Sequence, residues 1–146
     1  MTKKVMLLCV FYISTLLYAC SEQGDGVNLG TASSCDASVN SCLIQHEQYR
    51  LGLILGPDVR TLTPFDIKFN VIGDNMAIES VIVDFSMADM DMGLNRYRLT
   101  KSDEAWVGHA TLPVCIASRT DWLAKVEFMD DGKKYFAIFP FHTDVR

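Results

Sequence analysis

Histidine is scarce in this chain: three among 146 residues. They stand far apart as His46, His109 and His142, so no His-rich metal motif exists. No nucleophile elbow, phosphate-cradling glycine loop or Cys-x-x-Cys pair occurs either. With Asp and Glu scattered on the polar faces of strands, those absences argue against an enzyme. Basic charge is also short, at 13 Lys plus Arg against 18 Asp plus Glu. A nucleic-acid partner needs a basic footprint, and none is present. No amphipathic helical period runs through the chain, and no internal repeat is visible.

What the chain does have begins with an address. Lys3 and Lys4 form a short basic segment, and residues 5–17 form an uncharged apolar run. The run is too short for an assured membrane span. Leu17-Tyr18-Ala19-Cys20 follows at the place of a small-residue cleavage site. These parts, in this order, resemble a bacterial lipoprotein signal in residues 1–19. The resemblance implies that Cys20 is diacylated and becomes the mature N-terminus. Two acyl chains anchor a protein stably to a membrane. By resemblance to Gram-negative lipoproteins, Ser21 after the cysteine implies an outer-membrane, periplasm-facing position. Residues 20–41, rich in Gly, Ser, Asn and Asp, read as a flexible tether.

From residue 42 onward the hydrophobic period is two. Tyr49, Leu51, Leu53 and Leu55 share one face, as do Phe65, Ile67, Phe69 and Val71. Trp122, Ala124, Val126 and Phe128 repeat the pattern, and Asp130-Asp131-Gly132 is a hairpin signal. The reading is all-β: about seven short strands in an immunoglobulin-like antiparallel β-sandwich over residues 42–146.

Five cysteines are present. Cys9 leaves with the leader and Cys20 is lipidated, so Cys35, Cys42 and Cys115 remain. An oxidising compartment favours one disulfide and one free thiol. Cys42 heads a strand and Cys115 ends one, while Cys35 lies in the tether, where fixed geometry costs chain entropy. Cys42–Cys115 is therefore favoured over its two alternatives.

One stretch carries candidate chemistry. Met87, Met90 and Met92 lie within six residues, interleaved with Asp89 and Asp91, between two extended runs. Thioethers are soft ligands suited to Cu(I), and methionine is also a common filler of irregular core gaps. Residue type alone leans toward filling. His109 reads as a surface residue on the polar face of its strand.

The sequence Met90-Asp91-Met92-Gly93-Leu94-Asn95-Arg96-Tyr97, then Trp106, Leu112-Pro113-Val114-Cys115 and Asp121-Trp122, resembles small envelope proteins of the YtkA-like and FixH-like group. The likeness covers about residues 51–141. It implies an immunoglobulin-type sandwich related in architecture to CopC-type copper proteins. It also implies a role in copper supply or cytochrome oxidase assembly. Under that reading Cu(I) sits on Met87, Met90 and Met92, and the partner is an oxidase-assembly or copper-delivery protein. The competing expectation is a non-metal interaction module of the cell envelope.

Overall fold

The structure is a computed structural model that describes residues 26–90 and 92–144. The leader, and with it Cys20, lies outside the described residues. Every regular element described is a strand, so the all-β expectation holds. The count does not hold: nine strands form in place of seven. They are β1 (Val27–Thr31), β2 (Cys42–His46), β3 (Tyr49–Leu55), β4 (Phe65–Ile72) and β5 (Ile78–Ser86). β6 (Arg96–Ser102), β7 (Ala105–Ala110), β8 (Asp121–Asp130) and β9 (Lys133–His142) complete the set.

They make one mixed sheet in the order β1-β9-β8-β5-β6-β7-β4-β3-β2. The sheet curls until it nearly closes into a barrel. β6 is the joint between its two halves. Its first part, at Tyr97, Arg98 and Leu99, pairs with β5, and its last part, at Thr100, Lys101 and Ser102, pairs with β7. All ladders are antiparallel except that of β1, which runs parallel to β9. An all-antiparallel arrangement is thus corrected.

Two local reasons account for the extra strands. Residues expected to be tether carry Val27, Leu29 and Thr31 in alternation, and Leu29 is buried. They pair Val27 to Tyr135 and Asn28 to Phe136. Gly30, at φ 123°, supplies the irregularity before Thr31 meets Ile138. The apolar run from Cys42 to Leu55 is split into β2 and β3 by a tight turn at Glu47, which takes a left-handed φ of 50°. The two-residue Asp131-Gly132 turn has positive φ at both positions, the type I′ geometry that suits a twisted hairpin.

The expected faces point inward. Phe65, Ile67, Phe69 and Val71 are buried, as are Trp122, Ala124, Val126 and Phe128. Aromatic rings join the two halves across the interior. Phe69 of β4 meets Phe128 and Phe139 at 6.3 and 6.5 Å. Phe65 of β4 lies edge-on to Phe85 of β5 at 5.8 Å. Such pairs add to area burial because edge-on rings have complementary quadrupoles.

The disulfide is Cys35–Cys42, with Cα atoms 5.7 Å apart, and Cys115 is a free, buried thiol. The Cys42–Cys115 pairing is corrected. It assumed that residues before 42 were loose, and they are not. Ala37 N donates to Pro140 O at 3.0 Å, and Leu55 N donates to Ala37 O at 2.8 Å. The Asp36 carboxylate accepts from Ser38 N at 2.9 Å and Ser38 Oγ at 2.6 Å. It also lies 2.8 Å from His142 Nδ1. Burial pushes the Asp36 pKa up, but the hydrogen bonds from Ser38 and His142 outweigh it and hold the group below its ordinary value. Hydrogen bonds as well as the bridge hold this segment in place, so the entropy objection to Cys35 lapses.

Candidate functional site

The methionine stretch begins as a continuation of β5. Val81, Val83 and Phe85 face the core, and Met87 keeps the phase, at 3 % exposure. The chain then reverses. Met90 N donates to Met87 O at 3.4 Å, and Asp89 takes a left-handed φ of 59°, which Asp tolerates better than most residues. Met90 and Met92 are half-buried and pack against the core. Phe85 N donates to Asn95 O at 3.0 Å, which brings the chain back toward β6.

A second loop, residues 111–120, meets this turn. Leu112 is fully buried and ties residues 61 and 62 to the loop through a bridge at Thr61 and a 2.9 Å bond from Leu62 N to Leu112 O. Val114 and Ile116 point outward, so Cys115 between them points in. Ser118 N donates to Cys115 O at 3.0 Å and closes a tight turn. The result is a direct sulfur contact. Cys115 Sγ donates to Met90 Sδ at 3.6 Å.

Arg119 fastens the two loops together. Its Nη1 donates to Ala88 O at 3.0 Å, in the methionine turn. Its Nε donates to Asp121 Oδ1 at 2.9 Å, and its Nη2 pairs with Asp121 Oδ2. A planar guanidinium suits this two-point grip on a carboxylate. Held by Arg119, the Asp121 carboxyl falls to a pKa of about 2, and Asp121 raises the Arg119 guanidinium in return. A cavity of about 140 Å³ opens beside the thiol, bordered by Thr61, Ser118, Thr120 and Thr143.

The three methionines therefore separate. Met87 belongs to the core, Met90 touches Cys115, and Met92 rests half-buried against the core. Cys115, assigned to a disulfide from the sequence, is the thiol that meets Met90. His109 is exposed on β7, as expected, and pairs with Asp66 at 2.8 Å. His142 pairs with Asp36. Arg119 was missed in the sequence. Its only signal was the Arg119-Thr120-Asp121 spacing, which does not reveal Ala88.

No family model, curated protein or solved structure matches this chain. The site is therefore read from its own chemistry. It offers a thiol and a thioether in contact, on loops pinned by a guanidinium. Both sulfurs are soft donors, and soft donors select Cu(I) over hard cations. Metal–sulfur bonds of about 2.3 Å, the zinc–thiolate value, let one ion reach two sulfurs up to twice that distance apart. The 3.6 Å separation lies inside that reach.

Proposed function

We propose that this protein is a membrane-anchored lipoprotein of the periplasm that handles Cu(I), as a carrier or as an aid to cytochrome oxidase assembly. The observation that carries the reading is the Cys115–Met90 sulfur contact. Cys115 serves as thiolate ligand and Met90 as thioether ligand, with Met92 the nearest further donor in sequence. Met87 supports the turn from inside the core. Cys20 carries the lipid that holds the protein to the outer membrane. The resemblance to YtkA-like and FixH-like proteins, and to an immunoglobulin-type sandwich, belongs to the same proposal. Two sheet halves that face each other across an aromatic core and join at β6 support that architecture.

The test is anaerobic Cu(I) loading of the full chain. Stoichiometric copper and near-ultraviolet sulfur-to-copper absorption are expected in the wild type and in Met87→Leu. Both signals disappear in Cys115→Ser and weaken in Met90→Leu. A wild type that retains no more copper than Cys115→Ser overturns the copper reading. For the anchor, Cys20→Ser is expected to leave the membrane fraction or to accumulate unprocessed.

A second reading has its own observation. Leu94, Val114 and Ile116 are exposed on the same two loops, Ile116 completely. Exposed apolar side chains grouped in this way favour a protein-docking module without metal. The copper experiment separates the two.

A further inference from the structure

Strand register assigns the loops to two ends of the barrel. The methionine turn follows Ser86, which stands opposite Leu123, near the start of β8. The 111–120 loop leads into Asp121, which stands opposite His142, the last residue of β9. The sulfurs therefore mark one end. The Asp131-Gly132 hairpin marks the other, where Ile78 at the start of β5 stands opposite Asp130. β1 enters at this hairpin end. It runs parallel to β9, with Val27 level with Tyr135 and Asn28 with Phe136. From Tyr135 to His142 the strand extends about 23 Å toward the sulfur end.

The two ends differ in surface. At the sulfur end Leu62, Leu94, Val114 and Ile116 are all exposed. Leu62 N donates to Leu112 O at 2.9 Å, which fastens its turn to the 111–120 loop. Exposed apolar groups gathered at one place mark contact with a protein or a membrane. The hairpin end instead carries Glu79, Asp131, Lys133 and Lys134, charges of both signs that favour no charged surface.

Apolar burial alone would turn the sulfur end toward a bilayer. Chain length opposes that. Residues 20 and 26 are six peptide steps apart, at most about 20 Å at full stretch. A flexible chain of that length spans about 13 Å on average. A lipid on Cys20 thus keeps the hairpin end near its membrane. The apolar loops reach that membrane only if the six residues run straight down the whole barrel wall.

We propose that the barrel stands with its hairpin end toward the membrane and holds out the apolar face at Leu62, Leu94, Val114 and Ile116 to a soluble protein partner. The partner meets it with an apolar surface of its own. The proposal rests on the lipid assigned to Cys20 and is independent of copper.

The first test uses the lipidated protein as the cell makes it, added without copper to preformed vesicles of phosphatidylethanolamine and phosphatidylglycerol. Leu94→Cys and Lys133→Cys place one reporter at each end for a bulky polyethylene-glycol maleimide. Relative to detergent, vesicles are expected to leave labelling of Leu94→Cys unchanged and to slow Lys133→Cys severalfold. For the partner, Ile116 is replaced by benzoylphenylalanine and irradiated in intact cell envelopes. A protein adduct is expected, and Leu62→Asp is expected to lower its yield about tenfold. Aspartate tolerates the left-handed φ of 58° at this position better than leucine, and an unchanged melting temperature verifies the fold. Protein that does not float with the vesicles overturns the lipid assignment and the orientation together. Vesicle-bound protein in which Leu94→Cys is shielded overturns the orientation alone. A phospholipid adduct, a self-adduct, no adduct, or a protein adduct indifferent to Leu62→Asp overturns the protein partner.

Discussion

Cys115 Sγ lies 3.6 Å from Met90 Sδ, although 25 residues separate them in sequence. The contact exists because two loops turn at the same end of the barrel and Arg119 ties one to the other. It also requires that Cys115 be free, which the Cys35–Cys42 bridge ensures.

That cysteine assignment is directly measurable. Peptide mapping of the unreduced protein is expected to give a linked Cys35–Cys42 fragment. Cys115, at 7 % exposure, should react with iodoacetamide much more slowly in the folded protein than after denaturation. Replacing Cys35 and Cys42 together by serine should cost about 2–3 kcal/mol in the chain-entropy model for so short a loop. A linked Cys42–Cys115 peptide would overturn the assignment.

Asp121 reports on the loop clamp. Its folded pKa lies near 2, below the ordinary 3.8, because Arg119 binds the ionised form. A depressed carboxylate pKa means that the stabilisation is present above pH 3.8 and is lost as pH falls toward 2. Carboxyl NMR titration should place the midpoint near 2 in the wild type and return it toward 3.8 in Arg119→Ala. A midpoint that stays low without Arg119 would remove the guanidinium as its cause.

Strand phase in β4 can be checked with neighbouring substitutions. Phe69→Ala opens a cavity among Phe128 and Phe139 and should cost about 3–5 kcal/mol. Lys68→Ala, on the outer face, should change stability by less than about 0.5 kcal/mol. Urea denaturation distinguishes them, and equal effects would contradict the inward placement of Phe69.

Tyr49→Phe probes a buried polar pair. The Tyr49 hydroxyl donates to Asp130 Oδ2 at 2.7 Å, and Ala77 N donates to the other oxygen at 2.7 Å. Burial, then Tyr135 and Asp130, hold the Tyr49 phenol protonated well above its ordinary range. Removing the hydroxyl leaves a buried carboxylate one donor short, at a cost of about 1–3 kcal/mol in chemical denaturation. A neutral substitution would mean that another donor replaces it.

Most of the barrel was legible because burial on one face writes a period of two into the residues. The β4 and β8 faces read directly from Phe65 to Val71 and from Trp122 to Phe128. β1 was not legible. It is short, polar in composition, and stabilised by a partner at the far end of the chain. The β2–β3 turn was hidden for a different reason: Glu47 takes a left-handed φ without the Gly or Asn that would announce it. At the site, the methionine turn was visible as a composition anomaly. Its meeting with Cys115 was not, because contact across two loops leaves no local pattern. The disulfide was misread through one assumption, that a Gly- and Ser-rich segment is loose. Asp36 and Ala37 show how a few backbone bonds order such a segment.

The parallel pairing of β1 with β9 has a consequence for biosynthesis. The first strand of the domain finds its hydrogen-bonding partner only when the last strand has been made. Until then Leu29 has no core to enter, and the β9 edge that will receive β1 does not exist. The β1–β9 ladder therefore cannot form during synthesis until β9 itself has been made.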